Sequence, residues 1–306
     1  MNKNNNKIPF NPIALMVLFS VFYWGCGGGG DSDLEDIPQD EKIVSEQTTL
    51  YNIDNKVFFI PNPVQTSLLV KDIASPYNKD LLNSANNIEN YTTSFKQAVN
   101  LGVYGADLGY ITSNGQNQQA LTHLGAVKTL ADQLGVTSAF DFGEIESFGQ
   151  NVGNEQEMLS FITSAYKTSQ EFLEDNNRHD IAALLMAGAM VEGLFLAVNH
   201  TKEGGDNQQV AIKVAEQSTT LDNIILMLNP HYSSNSAPEL SAFVDKLMDL
   251  QTQLKSIKTE YSFEKSTIDA ENKSCKINSK NVISINEKSL QNIGNKIKNI
   301  RESITS

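Results

Sequence analysis

A chain of 306 residues with 40% hydrophobic content can bury a substantial core, which excludes wholesale disorder. Its formal charge of −13 is concentrated before Lys246, where 12 basic residues face 29 acidic ones; from Lys246 onward 11 basic residues outnumber 7 acidic. An acidic body with no basic stripe interleaved with aromatics repels phosphate backbones, so nucleic acid is excluded as a partner.

Lys3 and Lys7 precede an apolar run from Ile13 to Trp24 that only Ser20 interrupts. The run suits the hydrophobic region of an export signal and is shorter than the roughly 20 residues a membrane span needs. Pro9, Asn11 and Pro12 block its extension backwards. Cys26 follows directly after Gly25, an arrangement that resembles the lipobox of bacterial lipoproteins. The resemblance implies that residues 1–25 are removed as a signal peptide. It also implies that the Cys26 thiol takes a diacylglycerol and that the new amino terminus is acylated, with palmitate as the natural label. Each buried methylene contributes about 0.8 kcal/mol, so two or three chains make a durable anchor in the lipid bilayer. Tyr23 and Trp24 stand where the lipobox usually carries Leu and then Ser or Ala. The alternatives are an uncleaved anchor and an incidental cysteine.

The only other cysteine is Cys275, so no disulfide framework is expected. Residues 26–46, with four glycines and then Asp31, Asp33, Glu35, Asp36, Asp40 and Glu41, read as a flexible acidic tether. An acidic cluster just after the cysteine resembles the surface-export signals of Bacteroidetes lipoproteins. That resemblance implies the bacterial cell envelope, at the outer membrane, with the periplasmic and surface faces both open.

From residue 47 onward a single domain is expected. Lys56–Ile60 reads as a short strand before Pro61, and Pro63–Ser75 as a helix closed by Pro76. After that the period is 3.6. Thr92–Tyr110 and Gln116–Leu134 each place apolar residues on one face, with Gly135 stopping the second. Asn154 and Glu157 open a third helix in the manner of a capping box. Asp180 is expected to cap a run to Asn199, and Asp206 a run ending before Pro230. Leu240, Phe243, Leu247, Leu250, Leu254, Ile257 and Tyr261 follow a 3-4 spacing, as do Leu290, Ile293, Ile297, Ile300 and Ile304. Pro238 suits the first turn of the former and Ser284 with Glu287 the capping box of the latter. The two stripes predict an antiparallel pair, with an intermolecular coiled coil as the alternative. Ser274–Ile285 between them reads as a small hairpin turning at Asn278–Asn281. The fold class is therefore all-α, a multi-helix bundle-like domain of about eight helices with at most a short β-hairpin near the C-terminus.

Two segments carry the candidate site residues. In NLGVYGADLGY, Asn100–Tyr110, the small residues Gly102, Gly105, Ala106 and Gly109 permit another helix to approach, and Asp107 is the only charge. Ile181–Val198 is apolar on every face except at Glu192; eighteen residues with two glycines and a glutamate read as a central core helix. Buried, Asp107 and Glu192 each need partners or a raised pKa, and a facing pair could do acid–base work. The plainer role for both is to lock the packing. His123, His179, His200 and His231 are scattered without metal-ligand spacing, and no nucleophile elbow, Walker loop or dinucleotide fingerprint is present, so no cofactor or metal is expected. Cys275 beside Lys276 reads as an ordinary hairpin thiol.

Five stretches, IPNPVQTSLLVKD (60–72), NLGVYGADLGY, LADQLGV (130–136), AALLMAGAMVEGLFLA (182–197) and SINEKSLQNIGNKIKNIRESI (284–304), carry a further resemblance. They are similar to a group of Bacteroidetes lipoproteins with mostly helical bodies, in which Trp tends to stand where this chain has Met190. The resemblance implies an envelope lipoprotein and no particular activity. The expectation is a lipid-anchored helical domain with a binding or assembly role toward an envelope protein or ligand; the alternative is a hydrolase-like enzyme using Asp107 and Glu192.

Overall fold

A computed structural model of the chain describes residues 48–53, 56–61, 76–137, 154–199, 207–232, 238–269, 274–276 and 278–306. The export segment, Cys26, the acidic tether and the expected helix Pro63–Ser75 lie outside these residues, all of which belong to one unit, Asp40–Ser306. The described residues form an all-α bundle of eight α-helices. In chain order these are α1 (Ser94–Ser113), α2 (Asn117–Leu134), α3 (Glu155–Asp175), α4 (His179–Asn199), α5 (Gln208–Glu216), α6 (Ser218–Tyr232), α7 (Pro238–Lys255) and α8 (Glu287–Thr305).

Two central helices organise the bundle. Every residue of α4 from Ile181 to Val198 is buried, so this long apolar helix is enclosed by protein on all sides, as a core helix should be. α1 is almost as fully buried, from Ala98 to Ser113 with Gly105 partly open. The two touch backbone to backbone. A Cβ on Gly102 would lie 2.0 Å from the Leu185 carbonyl oxygen, and one on Gly188 1.8 Å from that of Val99. Tyr110 packs with Leu196 and Ala197 further along, so α1 and α4 run in the same direction.

The other helices cover this pair. Leu108 and Ile111 of α1 pack against Ala120 of α2 and Met158, Leu159 and Ile162 of α3. An apolar cavity of about 60 Å³ remains between these three helices, with Gly102 and Gly105 among its lining. α2 ends at Gly135, whose φ of 69° sets the left-handed cap that the sequence predicts. The Asn154 side chain accepts from the Glu157 N–H at 3.3 Å, so the expected N-cap of α3 is present. α7 and α8 run antiparallel: Thr93 donates to Glu239 at the start of α7, while the Lys96 ammonium reaches the Ser306 carbonyl at the far end of α8. Lys296 pairs with Asp249 between them.

Several local expectations change. Asp180 lies inside the first turn of α4 rather than at its cap, where its charge favours the helix dipole. The single run expected before Pro230 is two helices broken at Gln217, and Pro230 sits in the last turn of α6, where a missing N–H costs only one bond. The cap of α8 is Asn286, which accepts from the Ser289 N–H at 2.8 Å; Ser284 instead ends a strand. The 3-4 stripe of α7 stops at Leu254, and Tyr261 is extended and 67% exposed.

Two β-arms complete the domain. β1 (Thr48–Ile53) pairs antiparallel with β2 (Lys56–Pro61), so KVFFI is a strand as expected, and its partner TTLYNI was not legible. Near the C-terminus, β3 (Lys258–Ser262), β4 (Thr267–Asp269), β5 (Ser274–Lys276) and β6 (Lys280–Ser284) form nested ladders, β3 with β6 and β4 with β5. Residues 274–285 therefore do not fold back on themselves at Asn278–Asn281; they return along 258–269. The physical reason is that Thr259, Tyr261 and Ile268, read as helix or loop, have the β-branched and aromatic character that a pleated partner takes.

The helix contact makes a paired prediction. Gly188→Ala should lower unfolding free energy by about 3 kcal/mol or more, because the clash is with backbone that cannot rotate away. Gly125→Ala in α2, with nothing within 4 Å of the added Cβ, should raise it by up to about 1 kcal/mol. Urea unfolding of the two variants beside the parent checks both.

Candidate functional site

The polar residues of the core converge where α1, α4 and α8 meet the segment before α1. That segment contains two short 3-10 turns, Lys79–Leu81 and Ala85–Asn90, started by Asn78 and Ser84, whose side chains accept from the N–H groups two residues on. Between them lies Asn83, only 1% exposed.

Asp107 on α1 and Glu192 on α4 are both fully buried, and they interact directly with one another. The sequence named both residues; the structure brings them together. What it adds is Arg301 on α8. Its Nε donates to Glu192 Oε2 at 3.0 Å and its Nη2 to Oε1 at 3.2 Å, a bidentate pair. Nη2 also donates to the Leu81 carbonyl at 3.1 Å, and the guanidinium lies 4.6 Å from the centre of the Phe195 ring.

Charge bookkeeping follows from this geometry. Two carboxylates beside one guanidinium would leave a net negative charge in a dry core. Burial, and then the charge of Glu192, push the Asp107 pKa well above the ordinary carboxylate range. Burial also raises Glu192, but Arg301 and the Asp107 carboxyl pull it back, so Glu192 is the better placed of the two to ionise. Burial pulls Arg301 downward, and Glu192 more than reverses that. The balance of these effects favours a neutral Asp107 beside a Glu192–Arg301 ion pair. Asp107 Oδ2 accepts from the Asn83 N–H at 2.9 Å, while Oδ1 has no partner in hydrogen-bond geometry.

Asn83 connects this cluster to its surroundings. Its side chain donates to Tyr91 Oη at 3.0 Å and to Asn100 Oδ1 at 3.3 Å, and accepts from Asn87 Nδ2 at 2.8 Å. Tyr91 donates to the Thr305 carbonyl at 3.2 Å and Asn100 to the Ile304 carbonyl at 2.8 Å, which ties the last turn of α8 to α1. The Asn83 carbonyl faces His123 Nε2 at 3.2 Å, and the Gln119 carbonyl faces His123 Nδ1 at 3.2 Å. Burial lowers the His123 pKa, and a neutral ring can donate to only one of the two.

On the outer side of Asn83 and His123 lies an open cleft of about 650 Å³, walled by Lys79, Asp80, Leu82, Ser84 and Asn86 on one side and by Gln116, Asn117 and Thr122 at the start of α2 on the other. Asp107 and Glu192 are not among its lining residues, nor among those of the apolar cavity. Among the described residues no group of three His, Cys, Asp or Glu is placed to hold a metal ion. His123 is buried in the core, His179 opens α4 and His231 lies in the last turn of α6; His200 and Cys26 lie outside the described residues. Cys275 is a free, exposed thiol on β5.

Sequence reasoning missed Arg301, Asn83 and Tyr91. A signal for the first existed: the chain has two arginines, Arg178 and Arg301, and the guanidinium is the cation suited to buried pairs. Both do internal work, since Arg178 Nη1 donates to the Leu134 carbonyl at the end of α2, at 2.6 Å.

Searches of protein-family models, of curated proteins and of solved structures find no match to this chain.

The cluster predicts two contrasting variants. Arg301→Met strands a buried carboxylate and should cost about 3–5 kcal/mol. Asp107→Asn keeps the neutral shape and should be close to silent at low pH. For the parent, the folded state holds on Asp107 a proton that the unfolded chain releases above about 3.8. This contribution to stability is full below that value and is lost as pH rises toward the raised folded pKa. Asp107→Asn should flatten that decline in urea midpoints measured across pH; an unchanged profile would refute a protonated Asp107.

Proposed function

We propose that the chain is a lipid-anchored lipoprotein of a bacterial cell envelope, held at the outer membrane, whose helical domain binds a polar ligand or an envelope protein. The observation that carries the anchor is the apolar run Ile13–Trp24 ending at Gly25-Cys26, followed by a glycine-rich acidic stretch of tether composition. The observation that supports binding is the cleft beside Asn83 and His123, of mixed polar and apolar lining. One of its walls is held by the buried ionic cluster through the Asp107–Asn83 bond, so the wall is pre-organised before any ligand arrives. Amides and hydroxyls line it beside the charged pair Lys79 and Asp80 and the apolar Leu82, which suits a ligand that carries several hydrogen-bonding groups.

The hydrolase-like reading asks that Asp107 and Glu192 face one space open to substrate. They do lie together, but Arg301 occupies Glu192, and neither carboxyl lines a described cavity. Locking the packing is the role that fits this placement.

The test is Cys26→Ala. In a bacterial host that processes lipoproteins, the parent should take up labelled palmitate and sediment with membranes. The variant should do neither. Equal labelling and equal membrane retention in the two would overturn the anchor.

A further inference from the structure

The five large hydrophobic residues left exposed among the described residues are unevenly placed. Leu121 and Leu226 are isolated on helix surfaces, but Tyr261, Phe263 and Ile268 fall within eight positions of one another on the C-terminal arm, at 67%, 76% and 76% exposure. Isolated exposed apolar groups need no explanation; a cluster does. The arm that carries them is one continuous device. Ser279 Oγ accepts from the Glu264 N–H at 3.0 Å and donates to the Glu264 carbonyl at 2.9 Å, and Asn278 Nδ2 donates to the Lys265 carbonyl at 2.7 Å. These bonds stitch the β3–β6 ladder to the β4–β5 ladder. At the root, Ile283 of β6 is buried and β6 packs against α5.

We propose that this arm is a second point of contact with the lipid bilayer, its apolar side chains entering the headgroup boundary while its lysines stay among the headgroups. The inference rests on the anchored reading above. Three observations favour a lipid surface over a protein partner. The exposed apolar groups are interleaved with exposed Lys258, Lys265 and Lys276, and the buried centre of a protein interface is depleted in lysine, whereas lysine stems snorkel at a membrane boundary. The described arm carries four lysines and three carboxylates, a charge of +1 in a chain of −13, so an anionic headgroup layer does not repel it as it does the acidic body. Cys26 and Thr48 are 22 positions apart, which at about 3.5 Å each spans at most ~77 Å, so a lipidated Cys26 keeps the domain within reach of the surface. β2, which follows that stretch, packs on α6, and α6 follows directly on the α5 that roots the arm.

Cys275 makes the test direct, because it is exposed and pairs with Ile268 across the β4–β5 ladder. The mature full-length chain is reconstituted into vesicles of phosphatidylethanolamine with phosphatidylglycerol, and its thiols are titrated. One reactive thiol means Cys26 is acylated, and a nitroxide on Cys275 then reports its surroundings. The expected result is preferential relaxation by oxygen over a water-soluble nickel chelate, reversed at least tenfold in the ratio by F263E/I268E. A nitroxide equally water-exposed in parent and variant would overturn the arm contact and leave the anchor standing. Two reactive thiols would overturn the anchor, and co-sedimentation of the unlipidated chain with the same vesicles then decides the arm. Binding lost in F263E/I268E supports it; no binding, or binding the variant retains, refutes it. A dimer of the parent that F263E/I268E converts to monomer, with no vesicle effect, would assign the patch to a second copy and refute the proposal.

Discussion

The bundle depends on a backbone contact. α1 and α4 approach so closely at Gly102 and Gly188 that a single methyl group on either would fall within 2.0 Å of a carbonyl oxygen. Most helix pairs are held 8–10 Å apart by the side chains between their axes, and a glycine-on-backbone contact removes that spacer. The stretch of α1 and α4 beyond the contact is drawn into the same dry interior, and polar groups there must find partners within the protein. Asp107 and Glu192 sit in that stretch. Their burial is a geometric consequence of two glycines one to two turns away.

Once the two carboxyls are enclosed, the rest of the site follows from satisfying them. A single guanidinium from α8 neutralises one, a proton neutralises the other, and the backbone N–H of Asn83 supplies the remaining bond. Each partner is itself held: Arg301 by the Leu81 carbonyl and the Phe195 ring, Asn83 by Tyr91, Asn100 and Asn87. A buried ion pair is weak evidence for net stability, because desolvation offsets much of the attraction. Its clearer effect here is to specify how three helices and one loop fit together. Alternative packings of α8 against α4 would leave the Glu192 carboxylate alone in a dry core.

Much of this was legible in the residues. The 3.6 periodicity locates the amphipathic helices α1, α2, α3, α7 and α8, an unbroken apolar run marks α4, and the small-residue pattern of Gly102, Gly105, Ala106 and Gly109 identifies α1 as a helix that admits a close neighbour. Glu192 stands out because it interrupts an otherwise apolar run. The pairing of Asp107 with Glu192 was readable only as a possibility, since the residues are 85 positions apart and nothing local fixes which helices touch. Arg301 escaped notice because it lies next to the apolar stripe of α8, where a charged residue normally faces water. The arm was misread for a related reason: Ile257 and Tyr261 continue the 3-4 spacing of α7 by coincidence, and the strand that pairs with Lys258–Ser262 lies 18 to 26 positions downstream. Pattern within a window reports what a segment can form; long-range partners decide what it does form.

The ionic cluster also imposes an order on assembly. Its closing groups, the Arg301 guanidinium and the Ile304 and Thr305 carbonyls that hold Asn100 and Tyr91, all come from the final helix. Without that helix, α1 and α4 can meet only with the Glu192 carboxylate unpaired or neutralised by a proton, each at a cost in a dry interior. The core is therefore closed from the C-terminal end: interior groups of two early helices are answered by the last one.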